Sequence, residues 1–237
     1  MTGKSRIPRP GVTIACVLVA AAAAAPLAAQ SDDIRLGASP FGHMHMLFER
    51  TIFNVDVLTL DVCFDSATAE TVAVHARGGR TDAGDDAIAA AAIDAPDALG
   101  RIRFLRGVSK GQFLDGIRDE QEKAVRAGLL ADSTFRMIGD SLPVWFDFLD
   151  DRGIHDGDRI VYVFRDDSLR TVYHGEDGTV LLDRTDVGKQ RRTSVLATWF
   201  APRSDFRRPL LESLEDSDAA DPAACAVPGP DGAGQGS

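Results

Sequence analysis

The sequence predicts an α+β fold in which helices cover one face of a large antiparallel sheet. Apolar runs rich in β-branched and aromatic residues come in groups, near the start of the folded region and again over residues 159–183. Amphipathic stretches with helical spacing come in pairs, over residues 109–149 and 189–214, instead of alternating with the strands one by one. Grouped strands and paired helices are typical of this fold class.

Residues 1–29 have the three parts of a secretory signal peptide: a basic start, an apolar run over residues 11–25 and a small-residue end at Ala28-Ala29. The run is shorter than the roughly 20 apolar residues that a membrane span needs, and no second such run follows. We therefore expect a periplasmic or secreted protein with no membrane span after cleavage. Residues 30–41 are predicted to form an N-terminal linker.

Residues 42–214 are predicted to form one domain, followed by a disordered acidic tail over residues 215–237. The tail carries acids, no bases and few large apolar residues. Burial of so little apolar surface would not offset the conformational entropy that the tail loses when it becomes ordered. The whole chain has a formal charge of −10 and a pI near 4.9. This balance argues against nucleic acid or an anionic membrane surface as a partner, because both select clustered Lys and Arg.

Cleavage would leave two cysteines, Cys63 in an apolar run and Cys225 in the tail. An oxidising compartment permits a disulfide between them. The alternative is a buried thiol and an idle tail thiol, which the composition favours because nothing in the tail looks ordered enough to hold disulfide geometry.

The first half of the domain contains four predicted strands and one short helix. Strands are predicted over Gly42–Phe48 and Ile52–Phe64, and a short one over Thr71–Arg77. Asp85–Ile93 opens with two acids and continues in alanines, which indicates a helix. Arg101–Val108 alternates between apolar and polar residues and is predicted to be the fourth strand.

Two helices follow. Ser109 stands where an N-cap belongs, and apolar residues recur at helical spacing from there to Leu129. A second helix is predicted over Ser133–Leu149, with a bend at Pro143.

The last part of the domain is predicted to be a three-stranded meander and two closing helices. The strands are Arg159–Arg165, Leu169–His174 and Thr179–Asp183, separated by short polar and glycine-containing turns. The helices are Lys189–Phe200 and Asp205–Leu214.

Several weak motifs follow one another along the domain. They are Arg103–Ser109 before a charged helix, Gly157–Tyr162 before the meander, and Ser194–Phe200 followed by Arg207–Leu211. In order and spacing they resemble those of bacterial exported chalcone isomerase-like proteins. The resemblance covers roughly residues 42–211. It implies an open-faced sandwich, with a helical layer on a large antiparallel sheet and a ligand cleft between them. Relatives of this fold either cyclise chalcones to flavanones or bind fatty acids without catalysis.

The resemblance also places the residues that the enzymes of this family use. Their tyrosine at the strand-to-helix junction corresponds to Phe113, which has no hydroxyl to donate a proton. Their asparagine corresponds to about Glu120 and their strand threonine to a position near Asp56, where a carboxylate would repel a phenolate. We therefore expect a cleft that has lost the hydroxyl needed for isomerisation, and we assign no catalytic residue.

Three residues are candidates for ligand binding. The resemblance implies that Arg50 binds the negative charge of a ligand, as arginine does with carboxylates. The alternative is a surface arginine paired with Glu49 or Asp56. Phe113 and Ile117 lie on the apolar face of their helix and either line a cavity for an acyl chain or fill the core.

His43 and His45 would point the same way on a strand, as a soft-metal site requires. The sequence identifies no third ligand, and the alternative is that both histidines face solvent. Nucleotide-binding glycine motifs, a Gly-x-Ser-x-Gly elbow and a Cys-x-x-Cys pair are absent from the sequence. We expect no metal and no cofactor.

The function expected from these observations is that of an exported, non-catalytic protein that holds an apolar or fatty-acid-like carboxylate ligand between sheet and helices. One alternative is an intramolecular lyase or isomerase acting on a small chalcone-like phenolic, with Arg50 as electrophilic helper. A second alternative is a structural or partner-binding envelope protein.

Overall fold

A six-stranded antiparallel sheet forms the centre of the described part of the chain. The structure is a computed structural model and describes residues 36–50, 55–215 and 222–226. Adjacent strands in the sheet are also adjacent in sequence, and the order runs from β1 to β6. The strands are β1 (His43–Arg50), β2 (Val55–Phe64), β3 (Asp97–Phe104), β4 (Arg159–Arg165), β5 (Ser168–His174) and β6 (Val180–Val187).

Helices fill the connections from β2 to β3, from β3 to β4 and after β6. They are α1 (Ser66–Ala76), α2 (Asp82–Asp94), α3 (Lys110–Arg126), α4 (Asp132–Trp145), α5 (Leu149–Arg152), α6 (Lys189–Phe200) and α7 (Arg207–Glu212). Short 3₁₀ helices form at Pro40–Gly42, Ser213–Glu215 and Pro222–Cys225. None of the described helices is long and apolar enough to cross a bilayer.

Side-chain alternation along the strands divides the core between the two faces of the sheet. On β4, Ile160, Tyr162 and Phe164 belong to the main core between sheet and helices, whereas Val161 belongs to a smaller cluster on the opposite face. This arrangement confirms the predicted fold class, an antiparallel sheet with a helical layer on one face. Below, these are called the helix face and the back face.

The three strands of the predicted meander and the helix after Ser109 are confirmed. Ser109 accepts a hydrogen bond from the Gln112 backbone N–H, and the Gln112 side chain accepts one from the Ser109 backbone N–H. This capping box stops α3 from fraying at the point where β3 feeds into it. Pro143 lies inside α4, close to its end.

The strand predicted over Thr71–Arg77 is wrong, because these residues belong to α1 and its C-cap. The Asp65 side chain accepts a hydrogen bond from the Thr68 backbone N–H and starts the helix. Val72 is buried and Val74 is 71% exposed, which fits a helix with one apolar face. The β-branched residues of this segment favour a strand by intrinsic propensity, but packing of one helix face against the core determines the helical conformation.

The strand predicted over Arg101–Val108 is four residues out of place. β3 begins at Asp97, where Ala98 pairs with Phe64 of β2, and it ends at Phe104. Val108 instead forms an isolated bridge with Ile154. Position 97 marks the start because Pro96 directly before it has no N–H to extend the ladder.

The tail contributes to the fold through Cys225, which is bonded to Cys63 on the back face of the sheet. The interpretation as two unpaired cysteines is therefore wrong. Cys225 is buried beside Leu36 and Leu99, and a Cβ at Gly37 would overlap its Sγ atom. The predicted signal peptide lies outside the described residues, as do residues 216–221 and 227–237 of the predicted tail.

Gly100 on β3 allows Trp199 of α6 to approach the sheet, because a Cβ at this position would overlap the indole ring. We expect Gly100→Ala to lower the free energy of unfolding by about 1–3 kcal/mol, the usual cost of overpacking. Urea denaturation measures the change. Gly111→Ala in α3 meets open space and should be neutral or slightly stabilising. Equal effects of the two substitutions would contradict the close approach.

Candidate ligand-binding cavity

A cavity of about 660 Å³ lies between the helix face of the sheet and helices α3, α4 and α6. This volume is within the range of roughly 300–1,000 Å³ that small-molecule sites occupy. Much of the wall is aromatic: Phe104, Phe113, Trp145, Phe146, Trp199 and Phe206. The space suits an apolar or amphipathic molecule.

Phe113 and Ile117, the candidates on α3, both line the cavity. The Phe113 ring also packs edge-to-face on Phe104 and Phe146, with centroid separations of 5.9 and 5.2 Å. Phe113 thus belongs to the core and to the cavity wall at once. The binding role of these two residues stays a prediction.

Arg50 is the last residue of β1 and pairs with Val55 of β2. Its side chain lies outside the described residues. Its predicted contact with a ligand therefore stays a prediction.

Two arginines that the sequence analysis did not single out line the cavity, Arg184 of β6 and Arg191 of α6. Both guanidinium groups lie over the ring of Trp145, at 4.1 and 5.0 Å from its centroid. Arg184 also donates to Asp186, with Nε–Oδ2 and Nη2–Oδ1 distances of 2.7 and 2.6 Å. The two cations form the basic end of the cavity wall.

Arg191 differs from Arg184 in lacking a carboxylate partner among the described residues. Its Nη1 atom is buried and makes no hydrogen bond to a described group. A buried, unpaired donor of this kind is costly, so an anionic group that accepts from it gains more than it would at the surface. Only a local run of cations, Arg191-Arg192, marked this position in the sequence.

A row of polar side chains continues from the basic end across the helix face of the sheet. Tyr162 is paired with Thr171, and Thr171 with Arg184, on three adjacent strands. All three residues line the cavity. Within the described part of the chain, neither the Tyr162 nor the Thr171 hydroxyl makes a hydrogen bond inside the protein. Both hydroxyls are therefore free to bind a ligand.

Tyr162 corrects the expectation that the cavity has no tyrosine hydroxyl. Phe113 indeed has none, but a different strand brings Tyr162 to the same space. Burial raises the pKa of the Tyr162 phenol well above its usual range, so the group stays protonated. It therefore suits hydrogen-bond donation better than proton transfer.

Glu120, the predicted counterpart of the enzymes' asparagine, lies at the cavity wall in a charged cluster with Lys123 and Asp205. Lys123 Nζ is 2.6 Å from Glu120 Oε1 and 2.9 Å from Asp205 Oδ1. Burial raises the pKa of Glu120, and the hydrogen bond from Lys123 offsets this only in part. This cluster ties α3 to the segment before α7 and closes one side of the cavity.

The two histidines considered as metal ligands lie on β1, away from the cavity. His43 is buried on the back face, so the expectation that it faces solvent is wrong. The His45 ring centroid is 5.8 Å from that of His43, and the His45 backbone N–H donates to Ser213 Oγ. The neighbours of His43 include both cysteines of the disulfide.

Comparison with known proteins leaves the family of this chain open. No family model matches the chain, and no curated protein matches it. Among solved structures, a fatty-acid binding protein of Arabidopsis thaliana is similar, with a TM-score of 0.47 and 14% sequence identity. The match covers 78% of this chain and 90% of that protein. Since this similarity is too low to carry an assignment, we infer function from the cavity itself.

Proposed function

We propose that the protein binds an apolar or amphipathic molecule with a carboxylate group, such as a fatty acid, and releases it unchanged. One observation carries the proposal: the wall of an aromatic-lined cavity of about 660 Å³ holds an arginine that has no carboxylate partner in the part of the chain that the structure describes. The proposal extends to an exported protein. The signal-peptide pattern of residues 1–29 and the Cys63–Cys225 bond both favour an oxidising compartment.

The apolar part of such a ligand would gain from leaving water. Each buried methylene contributes about 0.8 kcal/mol, provided that the cavity still has room. Affinity for saturated fatty acids should therefore rise with chain length and level off when the cavity is full.

The carboxylate would lie at the basic end of the cavity. Arg191 can donate to it from an atom that has no partner among the described residues, and Arg184, already paired with Asp186, lies beside it over the Trp145 ring. The protonated hydroxyl of Tyr162 and that of Thr171 can complete its hydrogen bonds. Charge-assisted bonds of this type are roughly twice as strong as neutral ones.

The composition of the cavity wall favours binding over catalysis. Among the described residues that line it, there is no histidine and no cysteine. Glu120, whose pKa is raised, is engaged by Lys123. The cavity also favours this function over a purely structural role in the envelope, which would not need an apolar space of this size.

The test is a titration of delipidated protein with palmitic acid, followed by calorimetry. We expect saturable binding at one site and a Kd that Arg191→Gln raises by about 10- to 150-fold, since a hydrogen bond to a charged group contributes about 1.5–3 kcal/mol. Hexadecanol should bind less tightly to the wild-type protein and should not distinguish the two proteins.

Arg136→Gln is the matched control, because Arg136 is exposed on α4 and pairs with Asp132. It should leave the Kd for palmitic acid unchanged. Absence of saturable binding, or equal affinity for the acid and the alcohol, would refute the proposed carboxylate site. Turnover of a chalcone by the wild-type protein would refute the non-catalytic role.

A further inference from the structure

A histidine and two cysteines meet on the back face of the sheet, opposite the cavity. His43 of β1 is paired with Cys63 of β2, so their side chains point the same way. The disulfide brings Cys225 to the same place from the end of the described chain. A ring nitrogen of His43 and the two sulfur atoms all lie within 4.8 Å of one another, and all three residues are buried.

The hydrogen bonding of His43 leaves one ring nitrogen available. Its Nε2 atom is 2.9 Å from Asp61 Oδ1, and an ionised carboxylate accepts but does not donate. In the neutral tautomer that donates its Nε2 proton to Asp61, Nδ1 carries a lone pair. Nδ1 is buried and has no hydrogen-bond partner among the described residues. An orphaned acceptor at this depth is unusual and calls for a ligand.

These contacts match the surroundings of a metal-binding histidine. Such residues commonly donate their second ring nitrogen to a carboxylate, which fixes the tautomer and the ring orientation. Thiolates together with imidazole are the ligands of thiophilic ions, Zn²⁺ above all. The only obstacle within this cluster is the bond between the two sulfur atoms.

We propose that reduction of the Cys63–Cys225 disulfide converts this cluster into a Zn²⁺ site with Cys63, Cys225 and His43 Nδ1 as ligands. A dithiol reductant supplies two electrons and two protons to the disulfide and becomes a disulfide itself. The two thiols then lose their protons as they bind the ion, and water takes the fourth position. In the oxidised protein the sulfur atoms are bonded to each other and hold no ion.

The geometry requires only small shifts. With Zn–S distances of about 2.3 Å and Zn–N distances of about 2.0 Å, tetrahedral ligand atoms lie roughly 3.3–3.8 Å apart. The two sulfur atoms and a ring nitrogen of His43 already lie within 4.8 Å of one another. After reduction, the segment with Cys225 keeps the hydrogen bond from Arg101 Nη2 to the Ala226 carbonyl, at 2.9 Å. The ion would replace the disulfide as the tie between this segment and β2.

The experiment measures Zn²⁺ binding to the full chain after reduction with a dithiol and its removal under argon. We expect one Zn²⁺ per reduced chain, none in the oxidised protein, and a higher melting temperature of the reduced protein with Zn²⁺ than with EDTA. Co²⁺ in place of Zn²⁺ should give intense sulfur-to-cobalt charge-transfer absorption in the near ultraviolet.

Single substitutions distinguish a residue that binds the ion from one that only supports the fold. His43→Ala should abolish stoichiometric binding, and Asp61→Ala should weaken it by about 10- to 100-fold. His75→Ala, on α1 and outside the cluster, should bind as the wild-type protein does.

Two outcomes would overturn the proposal. One is a folded, reduced wild-type protein that binds no more Zn²⁺ than the Cys63→Ser, Cys225→Ser double variant. The other concerns a chain that unfolds on reduction. In that case Zn²⁺ is expected to restore the far-ultraviolet circular dichroism of the folded protein, and failure to restore it would overturn the proposal. Neither outcome depends on the fatty-acid titration, so the zinc site and the fatty-acid site are tested independently.

Discussion

Cys225→Ser will lower the free energy of unfolding by about 2–5 kcal/mol, the usual range for loss of a native disulfide. The bond joins residues 162 positions apart in the chain. In the chain-entropy account, closing a loop of this length stabilises the folded state by about 5 kcal/mol through its restriction of the unfolded chain. The loop runs from the end of β2 to the tail, so the disulfide restricts most of the unfolded domain.

Urea denaturation with EDTA present measures this change without a contribution from metal. Reduced wild-type protein should unfold at the same urea concentration as the Cys225→Ser variant. Ala226→Ser places a serine beside the intact disulfide, at an exposed position, and should keep wild-type stability. A Cys225→Ser variant as stable as the wild type would show that the disulfide adds nothing to the fold.

Asp158→Ala will lower the free energy of unfolding by about 3–5 kcal/mol, because it removes one partner of a buried ion pair. Asp158 is fully buried. Arg152 donates two hydrogen bonds to its carboxylate, at 2.7 and 3.0 Å. The Tyr173 hydroxyl and the His155 backbone N–H donate to Oδ2 at 2.7 and 2.9 Å. The substitution would remove the acceptor of the Tyr173 hydroxyl and of the His155 backbone N–H, and the carboxylate partner of Arg152.

This network supports one end of the cavity wall. The Tyr173 ring packs on Phe146 and Phe148, with centroid separations of 6.4 and 5.1 Å, and Phe146 lines the cavity. Loss of Asp158 should therefore also weaken palmitic acid binding. Asp156→Ala, two positions away at an exposed site, should change stability by no more than about 0.5 kcal/mol. Similar losses in both variants would contradict the network.

The same carboxylate makes stability depend on pH in the acid range. Burial alone would raise the pKa of Asp158, but the hydrogen bonds from Arg152, His155 and Tyr173 outweigh it and leave this pKa below its usual range. Its contribution to stability is therefore present above about pH 4, the usual pKa of an unfolded aspartate, and is lost as pH falls through the lower folded value. Asp158→Asn should flatten this part of the stability profile measured by urea denaturation.

Elements with strong local signals were predicted from the sequence. The strands β4, β5 and β6 are separated by short polar turns, and α3 begins at a capping residue, so their boundaries follow from nearby residues. α1 was missed because its threonines and valines have β propensity, whereas its conformation depends on the face that it buries against its neighbours.

The residues of the candidate site also fall into those that a local pattern predicts and those that it does not. Phe113 and Ile117 were placed from the periodicity of one helix. Arg191, Tyr162 and Thr171 come from separate elements, and no local pattern indicates that they share a cavity. The pairing of Cys225 was not favoured for a similar reason, since the apolar patch that receives it is formed by β2, β3, β4 and β5 together.

By itself the sequence determined the fold class, the acidic charge balance, the meander and the apolar face of α3, because periodicity, turn residues and caps act over a few neighbouring positions. Only the tertiary structure decided which polar groups face the cavity, which cysteines meet and which nitrogen of His43 lacks a partner. These depend on strand register and on contacts between separate elements, such as that of Cys63 with Cys225, 162 positions away, where a local sequence pattern carries no geometric information.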